Sequence, residues 1–138
     1  MDFNTRIAAV VKEEHQRQPV RSLAIWGYTP GVYVQTGLVP ATRDAVAAYA
    51  IIKGPYQEYF RERFLKDLDH SKPEMFVDTV TSGAFLWPEW TEEDGYESYS
   101  DLRDFIAEYY VPVRALELGL NQRPVQFFRL RPVPASHE

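Results

Sequence analysis

The 138-residue sequence contains no cysteine, and this absence removes several kinds of chemistry at once. Without thiols the chain has no disulfides, no thiolate metal ligands and no cysteine nucleophile. It also has no apolar run of the roughly 20 residues that a membrane-spanning helix needs, and its first residues lack a signal-peptide pattern. The sequence as given therefore predicts a water-soluble chain that suits a compartment of either redox state.

Basic residues are too few and too scattered for a nucleic-acid interface. The chain has 15 Lys and Arg against 20 Asp and Glu, which gives a formal net charge of −5. Because phosphate binding needs clustered positive charge, we expect no nucleic-acid partner. Hydrophobic residues make up 45% of the chain, enough for a buried core. The length predicts a single domain over residues 1–138, with residues 132–138 as a frayed tail.

Hydrophobic periodicity predicts an alternation of helices and strands. The predicted helices cover residues 3–18, 29–36, 60–69 and 98–111, and the predicted strands cover residues 20–26, 75–80, 113–118 and 125–130. Residues 45–52 fit a strand by their length and a helix by their alanine content, so their state stays open. This order predicts an α/β fold, specifically a three-layer sandwich with a mainly parallel central sheet, an antiparallel edge hairpin and helices on both faces.

Local residue patterns predict where three of these helices begin. Asp2 and Asn4 are both suitable caps for the first helix. Thr29 is the expected N-cap of the second helix, ahead of a proline at its first position. Ser98 and Asp101 have the spacing of a capping box and predict the start of the last helix.

Several motif-like features fall short of a catalytic or metal site. Gly27 and Gly31 follow the first strand, but a dinucleotide fingerprint needs a third glycine in register. Asp67 and Asp69 have an acid-x-acid spacing, but we expect them at the solvent-facing end of a helix. The three histidines lie far apart, and no serine lies in a G-x-S-x-G elbow. We therefore predict no catalytic residue, no metal site and no cofactor.

Aromatic residues supply the candidate binding surface. Trp87 and Trp90 lie in a long connection, and Trp26 ends the first strand. Such rings stack on sugar C–H faces, anchor a protein or membrane interface, or simply hold a loop against the core, and all three readings stay open. Polar residues near the carboxyl edge of the sheet would complete such a site. The candidate ligand-binding residues are Trp26, Tyr28, Tyr33, Arg43, Asp78, Trp87 and Trp90.

The segment WGYTPGVYVQTGLVPATR, over residues 26–43, carries a resemblance to a known family. It is similar to the W-G-x-x-P-x-x-Y-x-x-T-G-x-x-P-A-T-R pattern that begins the soluble C-terminal extracytoplasmic domain of GT-C type membrane glycosyltransferases. These are the dolichyl- or polyprenyl-phosphate-dependent mannosyl- and arabinosyltransferase-like proteins of bacteria. The later segments FLKDL (64–68), KPEMFVD (72–78) and FLWP (85–88) follow in the same order. The resemblance spans residues 20–131.

The resemblance implies a non-catalytic domain of a larger enzyme, because such enzymes carry their catalytic acids on a loop between early membrane helices. Its expected role is to help position a lipid-phosphate sugar donor or a glycan acceptor. The expected partner is the transmembrane portion of the same polypeptide, with membrane spans preceding residue 1. The expected location is the extracytoplasmic (periplasmic) face of the bacterial inner membrane. Whether the domain itself takes part in catalysis stays open, as do the sugar, the lipid carrier and the acceptor.

Two alternatives belong to other functional classes. A free-standing small α/β sugar-binding module or hydrolase-like enzyme would use Asp78 and Arg43 at the sheet edge. It predicts a concave pocket near Trp26, Asp78 and Trp87, with a strongly perturbed carboxyl pKa. A pure interaction module predicts an exposed apolar patch instead.

Overall fold

A computed structural model describes residues 2–81 and 92–132 of the chain as one five-stranded sheet with helices packed against it. The helices are α1 (Phe3–Arg17), α2 (Gly31–Thr36), α3 (Ala48–Ile51), α4 (Gln57–Ser71) and α5 (Ser100–Tyr109). The strands are β1 (Ser22–Trp26), β2 (Val39–Pro40), β3 (Met75–Asp78), β4 (Tyr110–Leu116) and β5 (Val125–Leu130). Two short 3₁₀ turns, Glu92–Asp94 and Tyr96–Ser98, lead into α5. None of the described helices combines the length and the apolar character needed to cross a membrane.

The strands lie in the order β2-β1-β3-β5-β4. β1 pairs in parallel with β2 and β3, whereas β5 pairs antiparallel with β3 and β4. The predicted α/β fold and the predicted antiparallel hairpin are therefore confirmed. A mainly parallel sheet is not confirmed, because two of these four pairings are parallel and two are antiparallel. Residues 87 and 90 and most of the predicted frayed tail lie outside the described residues.

Alternate residues along the central strands belong to two different hydrophobic clusters. One cluster joins Ala24 and Trp26 of β1 to buried side chains of α3, α4 and α5. The other joins Leu23 and Ile25 of β1 to buried side chains of α1 and α2. Successive side chains of β1 therefore alternate between the two clusters, as the two-residue period of a strand predicts.

The structure decides the element boundaries that the sequence left open or placed wrongly. Asp2 is the cap of α1, where its Oδ1 accepts a hydrogen bond from the Thr5 N–H at 2.8 Å. Residues 45–52 contain the short helix α3 and no strand. β4 begins at Tyr110, directly after α5, three residues earlier than predicted. β4 is an edge strand, so the missing backbone N–H of Pro112 is tolerated there.

Two predicted helix caps are wrong. Pro30, not Thr29, occupies the N-cap position of α2, and the buried Thr29 hydroxyl forms no hydrogen bond with any described residue. The Ser98–Asp101 capping box is absent because α5 begins at Ser100, with Tyr99 as its N-cap and no side-chain cap bond. The Asp101 side chain instead accepts a hydrogen bond from the Leu102 N–H within the first turn.

Candidate functional site

The parallel pairing of β1 and β3 brings two of the predicted site residues together. Trp26 and Asp78 are the last residues of these strands and are partners in the strand register. Every residue of β3 is buried, and so is every residue of β1 after Ser22, as expected for central strands of a sheet. Neither side chain has any solvent exposure. The carboxyl edge at this point is therefore occupied by protein.

Three N–H donors among the described residues hold the Asp78 carboxylate. Its Oδ1 accepts from the Val80 N–H at 2.8 Å, and its Oδ2 accepts from the Tyr96 N–H at 2.8 Å. The Arg123 Nη2 donates to the same Oδ2 at 2.8 Å. Complete burial raises the pKa of the Asp78 carboxyl, while Arg123 and the two backbone donors oppose that shift. A buried charge of this kind is stable only when it is paired. The donors here come from the two ends of the connection between β3 and α5 and from the loop before β5.

Arg123 links the loop before β5 to the rest of this edge. Besides Asp78, its guanidinium donates to the Val80 carbonyl at 2.7 Å and to Glu97 Oε2 at 2.7 Å. Burial lowers the pKa of Arg123, but the two carboxylates raise it by more, so the side chain stays charged. A Cβ atom at Gly95 would clash with the Arg123 guanidinium, so a larger residue there would require the guanidinium to shift. We call Asp78, Glu97 and Arg123 the buried ion network.

Trp26 is an anchor within the core. Its indole Nε1 donates a hydrogen bond to the Asp94 carbonyl at 2.9 Å. Its ring makes edge-to-face contacts with Phe64 and Tyr99, with centroid separations of 5.2 and 5.5 Å. This matches the reading in which a ring holds a long connection against the core, since residues 92–99 belong to that connection. In this arrangement no face of the indole is open to a sugar.

The following turn depends on close backbone approach at Gly27. This glycine has φ 148°, and a Cβ atom there would lie 2.0 Å from the Thr79 Oγ1. Its carbonyl accepts from the Ala47 N–H, and the Trp26 carbonyl accepts from the Thr79 N–H, both at 3.0 Å. The turn thus joins the ends of β1 and β3 to the start of α3.

The rest of the WGYTP…PATR segment is also built into the fold. The buried Tyr33 hydroxyl donates to the Leu23 carbonyl at 3.2 Å, and burial raises the pKa of this phenol. Gly37 closes α2 in the left-handed region at φ 71°, donating its N–H to the Tyr33 carbonyl. The Thr42 hydroxyl donates to the Asp44 carbonyl at 2.6 Å. These residues hold a strand–helix–strand unit together.

The other predicted site residues are dispersed. Arg43 is more than half exposed and forms an ion pair with Asp67 of α4, with 3.1 Å between Nη2 and Oδ1. The acid partner of Arg43 is therefore Asp67 and not Asp78. Tyr28 is partly exposed. Trp87 and Trp90 lie outside the described residues.

An open cleft of about 570 Å³ lies next to the buried ion network. Glu97, Arg123 and polar side chains of the loop before β5 line it, whereas Trp26 and Asp78 do not. The alternative hypothesis of a sugar-binding module or enzyme predicts a pocket beside Trp26 and Asp78. The lining of this cleft contains neither residue. No sequence signal marked Arg123, but an acid at the end of a buried strand implies a cationic partner somewhere in the chain.

A group of exposed aromatic side chains lies on α3 and the start of α4. Tyr49, Tyr56 and Tyr59 are 59–70% exposed, and the Phe60 ring lies 5.4 Å from the Tyr49 ring and 5.2 Å from the Tyr59 ring. Tyr56, Tyr59 and Phe60 share one helix face because they are three or four residues apart. Arg43 lies near enough to Tyr59 to interact with it electrostatically. We call Tyr49, Tyr56, Tyr59 and Phe60 the tyrosine surface.

Neither a metal-binding group among the described residues nor a similarity to a known protein indicates the function of this chain. Among residues 2–81 and 92–132, no three His, Asp or Glu side chains are grouped so that they could hold a metal ion. In comparisons with known proteins, no family model, no curated protein and no solved structure matches the chain.

Proposed function

We propose that the chain is a non-catalytic extracytoplasmic domain of a membrane-embedded GT-C type glycosyltransferase. Its role is to help position a lipid-phosphate sugar donor or a glycan acceptor for the membrane-embedded part of the same polypeptide. The observation that carries the proposal is the structural role of residues 26–43 in the fold. Trp26, Gly27, Tyr33 and Gly37 of the shared pattern are structural parts of one strand–helix–strand unit. A resemblance built on such residues supports a common fold rather than a common catalytic centre.

The state of Asp78 supports a non-catalytic role. A general acid or base must reach the proton that it transfers, directly or through one water. The Asp78 carboxylate is fully buried and accepts hydrogen bonds from Val80, Tyr96 and Arg123. Its raised pKa has a structural cause in that burial. This favours the accessory-domain proposal over the hydrolase-like alternative, which assigns Asp78 to catalysis.

We further propose the tyrosine surface as the face that contacts the donor or the glycan. Exposed phenol rings stack on sugar C–H faces and form hydrogen bonds through their hydroxyls. The nearby Arg43 guanidinium has the fork geometry that suits a phosphate or vicinal hydroxyl groups. Rings and a guanidinium together fit a ligand that has both a sugar and a phosphate.

The finer architecture is also a proposal. We infer a three-layer sandwich, with α1 and α2 on one face of the sheet and α3, α4 and α5 on the other. The two hydrophobic clusters support it, because each combines strand residues of one parity with a different set of helices.

Ligand-induced ¹H–¹⁵N chemical-shift changes test the role of the tyrosine surface. The probes are a short-chain polyprenyl-phosphate mannose, the corresponding polyprenyl phosphate, and a mannose oligosaccharide. The proposal predicts saturable shifts at Arg43 and the tyrosine surface with the sugar-bearing probes, which the substitutions Tyr49→Ser and Tyr59→Ser together abolish. Val34→Ser, at an exposed apolar position on α2, serves as the control and leaves the shifts unchanged. Shifts centred on the cleft at Glu97, or no shift with any probe, would overturn the assignment of this face.

A further inference from the structure

A groove of about 540 Å³ lies between helices α4 and α5, and none of its lining residues belongs to the tyrosine surface. Its floor is made of the partly exposed side chains Leu65, Phe105 and Tyr109. The Phe105 and Tyr109 rings lie against each other, with centroids 4.9 Å apart. The groove therefore exposes apolar area that the fold does not itself cover.

The rim of this groove contains more acidic than basic side chains. The acidic side chains that line it are Glu62, Asp69, Asp101, Asp104 and Glu108. Lys66 is the one basic residue among its lining residues, but Asp69, Asp101 and Asp104 form ion pairs with Lys72, Arg61 and Arg103. Glu62 and Glu108 are exposed and form no ion pair with any described residue. The two acids without an ion pair belong one to each helix, Glu62 to α4 and Glu108 to α5, so uncompensated negative charge lies on both long sides of the apolar floor.

One ammonium group of the chain already lies at this surface. The Lys72 Nζ is 4.4 Å from the centroid of the Tyr109 ring and 5.5 Å from that of Phe105. It also donates a hydrogen bond to Asp69 Oδ1 at 2.6 Å. An ammonium that contacts two ring faces and a carboxylate combines a cation–π interaction with a charge-assisted hydrogen bond. The arrangement shows which chemistry this surface accommodates.

We propose that the groove binds a basic amphipathic helix of a partner segment. The apolar face of such a helix lies on Leu65, Phe105 and Tyr109, and its Lys and Arg side chains reach the acids on both sides. Charge complementarity favours this occupant, because the unpaired Glu62 and Glu108 attract cations and repel anionic lipid, nucleic acid and the same rim of a second copy. The lining residues 62–69 and 101–108 each cover about two turns, or roughly 11 Å, so the bound helix needs about three turns.

Fluorescence anisotropy with a labelled peptide tests this proposal. The probe is an amidated 14-residue peptide with leucines at helical spacing and lysines at the other positions. The comparison peptide has glutamate in place of every lysine. We expect saturable binding of the basic peptide, no binding of its acidic counterpart, and weaker binding as salt is raised.

Matched charge variants locate the binding site. Glu62→Gln with Glu108→Gln removes two unpaired rim charges and is expected to weaken binding at least about threefold. Glu58→Gln with Glu117→Gln removes two exposed acids outside the groove and is expected to change binding less than about twofold. Equal losses in the two double variants, equal binding of both peptides, or no saturable binding would overturn the proposal. Self-association that Glu62→Gln with Glu108→Gln alters would assign the groove to a second copy instead, and would equally overturn it.

Discussion

Replacing Arg123 with methionine removes the guanidinium that faces the buried Asp78 carboxylate, while methionine keeps a similar apolar length. The substitution leaves a fully buried carboxylate without its counterion and leaves the Val80 carbonyl without the Arg123 donor. Breaking a buried ion pair on one side costs about 3–5 kcal/mol of unfolding free energy. The partner Glu97 adds little, because it is substantially exposed and therefore screened. Against a total stability of about 5–15 kcal/mol, this loss is large.

Urea unfolding followed by far-ultraviolet circular dichroism measures the effect. Arg103→Met is the matched control, since Arg103 pairs with Asp104 on the surface and both side chains are more than half exposed. The control is expected to lose less than about 1 kcal/mol. Adding Asp78→Asn to Arg123→Met removes the uncompensated charge, so the double variant is expected to be more stable than Arg123→Met alone.

The pH dependence of the difference identifies charge as its cause. Without Arg123, burial raises the pKa of the Asp78 carboxyl further in the folded state. A carboxyl whose folded pKa lies above its unfolded pKa loses stabilisation as the pH rises through that interval. The deficit of Arg123→Met is therefore expected to be greatest at neutral pH and to shrink as the pH falls toward about 4. A loss as small as that of Arg103→Met, or a deficit independent of pH, would refute the reasoning.

Three further predictions concern single residues of the fold. Gly27→Ala is expected to lower the free energy of unfolding by at least about 2 kcal/mol in urea, because the alanine would have a strained φ and its Cβ would clash with Thr79. The control Gly54→Ala has open space around the new Cβ and is expected to stay within about 0.5 kcal/mol of the wild type. Tyr110→Phe leaves a buried carbonyl without its 2.6 Å donor and is expected to cost about 1–2 kcal/mol in the same assay; no loss would contradict the bond. Desolvation raises the pKa of the Asp67 carboxyl, but hydrogen bonds from Arg43 lower it by more, so its stabilisation is present above the unfolded pKa of 3.8 and is lost as pH falls through the folded pKa. Asp67→Asn is therefore expected to flatten the fall of the urea midpoint between about pH 5 and pH 2, and an unchanged slope would count against this pair.

The elements with clear periodicity could be predicted from the sequence, because their pattern is local. Helices α1, α4 and α5 and strands β1, β3 and β5 all lie near their predicted positions. Strand β2 has only two residues and therefore no periodicity to detect. Residues 45–52 stayed ambiguous because alanine-rich runs of this length suit buried helices and buried strands equally. The parallel and antiparallel pairings depend on which distant strands meet, which local patterns do not state.

The candidate site, like the fold, could be predicted only in part from the sequence. That Trp26 and Asp78 meet at one sheet edge follows from their positions at the ends of two buried strands. That they are covered there does not follow from the sequence. Asp78 is paired with Arg123, 45 residues later in the chain, and Trp26 packs against Phe64 and Tyr99. Arg43 was expected at the same edge, but its partner is Asp67, which a helix brings to it. Contacts between such distant residues depend on the tertiary fold, which single-sequence patterns do not specify.

The central claim, that this domain belongs to a membrane-embedded enzyme, is tested most directly in the source cells. Spheroplasts are fractionated with and without protease added from outside, and an antibody raised against the domain detects the products. The proposal predicts a membrane-bound band several times larger than the 16.0 kDa of this chain, which external protease removes. A band near 16 kDa outside the membrane fraction, or a membrane band that external protease cannot reach, would contradict it.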